Sequence, residues 1–154
     1  MKKVNIKNFR KTLSKFSTGI TVVCIRNNNS IYGKTVNSFN SLSLNPPMVL
    51  FSLGNYSSSI KQFSKTKFLS INILSSKQKK ISDNFASSAP KVENINFIEG
   101  KNKTVIIPNC IANLECKLMD KIKKGDHIIF ICKILELQSN DQLKPLLYFN
   151  SKYF

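Results

Sequence analysis

Acidic residues and histidine are scarce in this chain. Its 154 residues include eight Asp and Glu and one His, against 24 Lys and Arg. A Ser-His-Asp triad needs a carboxylate behind its His, and Asp126 beside His127 would point to the opposite face if both lay in one strand. A single His also speaks against a His-based metal site. We therefore expect no hydrolytic triad, no paired catalytic carboxylates and no metal.

Cysteine motifs are missing as well. The four cysteines show no Cys-x-x-Cys spacing, and three of them lie in apolar runs typical of strands. Buried, reduced thiols in a reducing compartment are therefore expected. These residues are Cys24, Cys110, Cys116 and Cys132.

No segment has the pattern of a membrane span, a secretion signal or a Rossmann nucleotide site. No apolar run approaches the length of a spanning helix, and the basic residues 1–3 are not followed by an apolar stretch. G-x-G-x-x-G is absent, and strands do not alternate regularly with helices, which argues against a doubly wound sheet. We expect a cytoplasmic protein with no membrane partner.

The net charge of +16 first suggests a nucleic-acid or membrane ligand. The excess is mostly Lys spread along the chain, with Arg only at Arg10 and Arg26. Arg is the residue that most often hydrogen-bonds to bases and phosphates in nucleic-acid-binding proteins. Abundant Lys, Asn and Ile are typical of an AT-biased genome, so we expect no nucleic-acid partner. A positive field of this size would still attract anionic nucleotides.

The apolar patterns predict one mainly β domain over residues 1–154, a β-barrel with appended helices. Apolar residues at helical spacing predict an amphipathic helix over residues 6–16. Serines that precede further segments with this spacing predict one helix after residue 59 and another over residues 76–85. Residues 121–125 resemble a charged turn, and residues 95–109 are irregular with short strands at best. Apolar or alternating runs predict strands at residues 20–25, 30–34, 48–53, 68–74, 114–118, 127–137 and 146–149.

The most distinctive stretch is residues 33–47, which alternates small polar and apolar side chains and ends in a double proline. Alternation in an extended segment places Val36, Leu42 and Leu44 on one face and short polar side chains on the other. The pattern alone favours an edge strand that runs into a turn, because proline cannot donate to a strand ladder. The row of short polar groups would also let a flat polar ligand approach the backbone.

A second polar stretch, residues 55–59, precedes an apolar periodic segment. Serines at this place are typical helix N-caps. The backbone N–H groups of a helix N-terminus also suit a phosphate. Two interpretations remain open, a cap alone or a cap that also binds a ligand phosphate together with Lys61.

Five stretches occur in the order that is typical of the flavin reductase-like family, the FMN-binding split barrels of Greek-key type. The resemblance covers residues 9–154. The stretches are F-S-T-G-I-T-V-V at residues 16–23, G-K-T-V-N-S-F-N-S-L-S-L-N-P-P at 33–47, F-L-S-I-N-I-L at 68–74, G-D-H at 125–127 and P-L-L-Y at 145–148.

This resemblance implies an NAD(P)H-dependent flavin reductase that binds FMN, or alternatively FAD, with NADH or NADPH as co-substrate. It also implies a homodimer, and a monooxygenase as the partner that receives reduced flavin. One alternative is an electron carrier or sensor that holds FMN tightly and turns over little. Another is a nucleic-acid-binding barrel, which the charge suggests and the core-like spacing of the phenylalanines disfavours.

By the same resemblance, His127 lies at the flavin or nicotinamide face and positions the pyridine ring. The residue-based alternative is a structural His next to a turn, with Asp126 holding that turn. The chain departs from the family pattern at Lys34, where an apolar residue is usual. The residues that the resemblance assigns to the cofactor are Thr35, Val36, Asn37, Ser38, Ser41, Leu42, Ser43, Leu44, Ser52, Leu53, Ser58, Ser59, Lys61, Phe85 and Tyr153.

Overall fold

A computed structural model describes residues 1 and 3–154, and β-strands form its framework. Three α-helices are attached to them: α1 (Ile6–Leu13), α2 (Ile60–Lys65) and α3 (Lys79–Ala86), the last preceded by a 3-10 turn at Ser76–Gln78. The strands are β1 (Thr18–Gly19), β2 (Thr21–Asn27), β3 (Ser30–Val36), β4 (Asn40–Leu44), β5 (Pro47–Gly54), β6 (Phe68–Ile73), β7 (Ile98–Glu99), β8 (Val105–Ile106), β9 (Ala112–Lys124), β10 (His127–Ser139), β11 (Leu147–Phe149) and β12 (Lys152–Tyr153). The expected mainly β fold with appended helices is confirmed.

The main sheet has seven strands in the order β3-β2-β6-β9-β10-β5-β4. Every pairing in it is antiparallel, and β9 and β10 form a long hairpin at its centre. The sheet curls until the end of β3 approaches β5, where Ser38 bonds to the backbone of Ser52. Two small sheets, β1-β11-β12 and β7-β8, lie outside it.

Two apolar clusters cover the two faces of β2. Val23 and Ile25 belong to the first, which contains the parallel rings of Phe51 and Phe130 at 5.1 Å between centroids. Val22 belongs to the second cluster, on the side of α3. Because both faces of β2 are buried, its sequence is continuously apolar rather than alternating.

All four cysteines are buried and free. Burial raises the pKa of the Cys110 thiol to about 11 and that of Cys132 to about 12. Both thiols are therefore protonated at neutral pH.

Several predicted boundaries differ from the structure. The helix α1 ends at Leu13 instead of residue 16, and none of its side chains is buried. Residues 121–124 belong to β9 rather than to a turn, because their backbone pairs with β10 in spite of the row of lysines. The turn is confined to Gly125, whose φ of +57° suits glycine, and Asp126. The short strands β1 and β12 were not predicted.

Residues 33–47 do not form one continuous strand. The ladder of β3 stops at Val36, residues 37–39 leave it, and β4 begins at Asn40 as the edge of the sheet. The predicted edge strand that runs into a turn is thus confirmed for β4. Within residues 1 and 3–154, no helix has both the length and the apolarity that crossing a membrane requires.

The substitution Gly33→Ala is expected to destabilise the fold. A Cβ at Gly33 would collide with the ring of Phe85, which is fully buried and cannot move aside freely. Such overpacking typically lowers the free energy of unfolding by about 1–3 kcal/mol. Urea denaturation of both variants measures it, with Gly19→Ala as the control, since a Cβ there has open space. Equal stability of the two variants would contradict this packing.

Candidate functional site

A cavity of about 500 Å³ opens where the ends of β3 and β5 meet the start of β10 and the end of α3. This volume lies within the range of about 300–1,000 Å³ that is usual for ligand sites. Its wall consists mainly of small polar residues and backbone. The lining residues are Lys34, Thr35, Val36, Asn37, Ser38, Ser52, Leu53, Gly54, Tyr56, Ser57, Ser58, Ala86, Ser87, Ser88 and His127.

One serine holds β3 and β5 together at the cavity. The Ser38 hydroxyl donates to the Ser52 carbonyl oxygen at 3.1 Å, and the Ser52 N–H donates to the same hydroxyl oxygen at 3.0 Å. These two bonds replace a strand ladder where residues 37–39 turn away from β3. We refer to this pair of bonds as the Ser38–Ser52 clasp.

The opposite wall is set by the pairing of β5 with β10. Gly54 lies opposite His127 in the ladder, and the Asn55 N–H donates to the Asp126 carbonyl oxygen at 2.9 Å. Tyr56 packs edge-on against the His127 ring at 6.4 Å between centroids. The first residue of β10 is thereby placed at the cavity rim.

Asp126 and His127 contact each other directly. His127 Nδ1 lies 2.7 Å from Asp126 Oδ1, and this hydrogen bond, with the charge of the ring, lowers the pKa of the Asp126 carboxyl. The two side chains do not diverge as neighbours in one strand would, because Asp126 lies in the turn and not in the strand. In neutral His127, an Nδ1–H that donates to the carboxylate leaves Nε2 as the acceptor.

The serine-rich stretch supplies hydroxyl groups at the other end of the cavity. Ser57 and Ser58 line it, and Ser58 Oγ donates to the Ser88 carbonyl oxygen at 3.3 Å. Ser59 is the residue before α2, yet its side chain forms no capping bond. The predicted side-chain cap of this helix was therefore wrong for Ser59.

Eight of the residues predicted from the sequence meet around this one cavity. They are Thr35, Val36, Asn37, Ser38, Ser52, Leu53, Ser58 and His127.

The other predicted residues lie elsewhere. Ser59 is buried and lines a neighbouring cavity, Lys61 is exposed on α2, and Phe85 is buried beneath Gly33. The Tyr153 hydroxyl lies 3.0 Å from Ser82 Oγ, and burial raises its pKa. Four more lie on the edge strand β4, where Leu44 is 93% exposed: Ser41, Leu42, Ser43 and Leu44.

The motif resemblance assigned no cofactor role to Lys34, Tyr56, Ser57 or the segment 86–88, although all of them line the cavity. The last of these follows the buried Phe85 and consists of Ala and Ser. A run of small residues directly after a helix that packs on β3 is the signal that could have indicated a cavity wall.

The cavity suits a flat, polar, anionic ligand. Its lining contains hydroxyls, an Asn, backbone groups, one His and one Lys, and no carboxylate. Among residues 1 and 3–154, no three His, Cys, Asp or Glu side chains group as metal ligands. Such a lining can bind and orient a redox cofactor, whose own ring carries the chemistry. Flavin nucleotides, with an aromatic ring and a phosphate, fit this donor set.

The fold and the cavity define a mainly β ligand-binding domain, and comparison with known proteins identifies its family. The model of the flavin reductase like domain matches residues 13–154. The chain belongs to this family, as its five sequence motifs implied.

Individual relatives support this family assignment. The chain is 33% identical to the FMN reductase (NADH) SmoA of Agrobacterium fabrum over 89% of this chain and 79% of that protein. It is 30% identical to the monooxygenase reductase subunit HsaB of Mycobacterium tuberculosis over 97% of this chain and 82% of that protein. The solved structure of the flavin reductase PheA2 superposes with a TM-score of 0.92 at 33% identity, covering 98% of this chain and 97% of PheA2.

The substitution Ser38→Ala is expected to open the Ser38–Ser52 clasp. It leaves the Ser52 N–H and carbonyl without their partner, which should lower the free energy of unfolding by about 1–2 kcal/mol. The Ser52 amide should then exchange its hydrogen with solvent about tenfold faster, measured by NMR. Ser41→Ala on the exposed edge strand is the matched control. Unchanged exchange at Ser52 would show that the clasp does not hold the cavity.

Proposed function

We propose that this protein is an NAD(P)H-dependent flavin reductase, which transfers a hydride from a reduced nicotinamide to FMN or FAD. The observation that carries the proposal is the hydroxyl-lined cavity with His127 at its rim, in a chain that belongs to the flavin reductase like domain family. SmoA is named an NADH-dependent FMN reductase, and a further relative, from a Rhodococcus species, is named an NADH-dependent flavin reductase. These names support NADH as the donor.

Different residues of the cavity would bind different parts of the flavin. The backbone and side chains of residues 35–38 would contact the ring and ribityl chain, and Ser52 and Leu53 would continue along the path to the phosphate. Ser57 and Ser58 would donate to the phosphate oxygens. A bound flavin would supply the hydride acceptor.

His127 would act by positioning the nicotinamide ring. Its Nδ1 faces the Asp126 carboxylate at 2.7 Å, which fixes the ring orientation. The rest of the ring is then free to contact a nicotinamide that stacks in the cavity mouth. Hydride transfer between stacked rings depends mainly on proximity and orientation, so a lining without carboxylates is sufficient.

The direct test of this function follows NADH and NADPH absorbance with purified protein, with and without added FMN or FAD. We expect flavin-dependent oxidation of the nicotinamide well above the rate of free flavin alone, which is the control. A protein that stays yellow through gel filtration and turns over slowly would favour the electron-carrier alternative. No oxidation with any pair of flavin and nicotinamide would overturn the proposed function.

We further propose that two copies of this chain form a homodimer. The apolar face of α1, formed by Ile6, Phe9 and Leu13, is more than half exposed, and Phe16 just after it is 77% exposed. Leu44 on the edge strand β4 is a further exposed apolar side chain, at 93%. Exposed apolar surface of this extent is typical of an interface. A second copy seated there could bring the predicted residues of β4 to the cofactor.

Light scattering after size exclusion should give the mass of two chains for the wild type and of one chain for the double variant Phe9→Ser and Leu13→Ser. Because none of the α1 side chains is buried, these changes should leave the fold of each chain intact. The control is the double variant Lys7→Ser and Lys11→Ser on the opposite side of the helix. A monomeric wild type would contradict the homodimer.

A monooxygenase is the proposed recipient of reduced flavin. HsaB is named the reductase subunit of a flavin-dependent monooxygenase, which supports a similar role for this chain. We also propose that residues 1–154 form one split-barrel domain. The four buried, free thiols support a reducing, cytoplasmic location.

A further inference from the structure

Lys34 lies where two cavities meet. It lines the candidate site, and it also lines a neighbouring cavity of about 240 Å³ on the other side of Ser58 and Ser88. Both serines line the two cavities as well, so the three residues form the boundary between them.

The positive charge of Lys34 has no counter-ion in the part of the chain that the structure describes. Its Nζ donates to the Ser87 carbonyl oxygen at 2.8 Å, and no carboxylate within residues 1 and 3–154 forms an ion pair with it. Burial lowers the pKa of this ammonium group. An ammonium carries three donors, and the Ser87 bond uses one of them. A partly desolvated cation with free donors is stabilised by an anion that enters the cavity.

Hydroxyl groups near Lys34 complete a set of donors for such an anion. Ser57 and Ser58 line the same cavity, and both carry a hydroxyl that can turn to donate. By contrast, Lys61 is exposed on α2 and does not line the cavity. Of the lysines among residues 1 and 3–154, Lys34 is the one in the lining of the candidate site.

We propose that Lys34 is a specificity residue that recognises the phosphate of a flavin nucleotide and so selects FMN over riboflavin. This inference rests on the proposed function. The two flavins share the ring and the ribityl chain, and they differ only in the phosphate, which carries about 1.5–2 negative charges at neutral pH. A lysine ammonium acts on such a group as a point charge with several donors.

The test measures the dissociation constants of FMN and riboflavin by quenching of flavin fluorescence, without any turnover. In Lys34→Gln we expect FMN to bind about tenfold more weakly and riboflavin to bind as in the wild type. Lys34→Arg, which keeps the charge, should restore most of the FMN affinity. The matched control is Lys133→Gln on β10, a partly buried strand lysine outside the cavity that carries the same formal charge.

The outcomes separate this inference from the proposed function. Equal weakening of FMN and riboflavin in Lys34→Gln would mean that Lys34 only fastens β3 to Ser87, which overturns the inference and leaves the reductase intact. Equal weakening of FMN in Lys133→Gln would mean a general field effect of the +16 charge and would also overturn it. Binding of neither flavin by the wild type would overturn the proposed function itself.

Discussion

The site depends on one interaction, the Ser38–Ser52 clasp. The main sheet places β3 at one end of its strand order, five strands from β5. Only the curl of the sheet brings the two together, and the clasp satisfies both backbone groups of Ser52 at the point of contact. Because residues 37–39 leave the ladder there, the backbone opens a cavity where a continuous strand would have closed it.

The remaining walls follow from long pairings and from packing behind the cavity. The pairing register of β5 with β10 places His127 at the cavity rim. The turn before β10 places the Asp126 carboxylate within hydrogen-bond distance of the His127 ring. On the other side, Gly33 lets the Phe85 ring lie directly under β3, and this contact places the end of α3 and its serines at the cavity. The site is therefore a product of the whole sheet rather than of one loop.

Sequence patterns predicted the central strands well, because continuous apolar runs such as β2 reflect burial on both faces. Motif resemblance also singled out eight residues that line one cavity, since those positions belong to short segments whose local order is distinctive. The sequence patterns did not predict features that depend on contacts between distant parts of the chain. Residues 121–124 are extended because β10 pairs with them, and the apolar face of α1 is left uncovered by the chain on which it lies. Segment 86–88 joins the site only through the packing of α3.

The buried cysteines have a chemical consequence for a protein with the proposed activity. Free reduced flavin reacts with oxygen and produces hydrogen peroxide near the enzyme that released it. The species of cysteine that peroxide attacks is the thiolate, and attack requires access. All four thiols here are covered, and burial raises their pKa values, so they stay protonated. The fold thus shelters its cysteine thiols from the oxidant that the released product would generate.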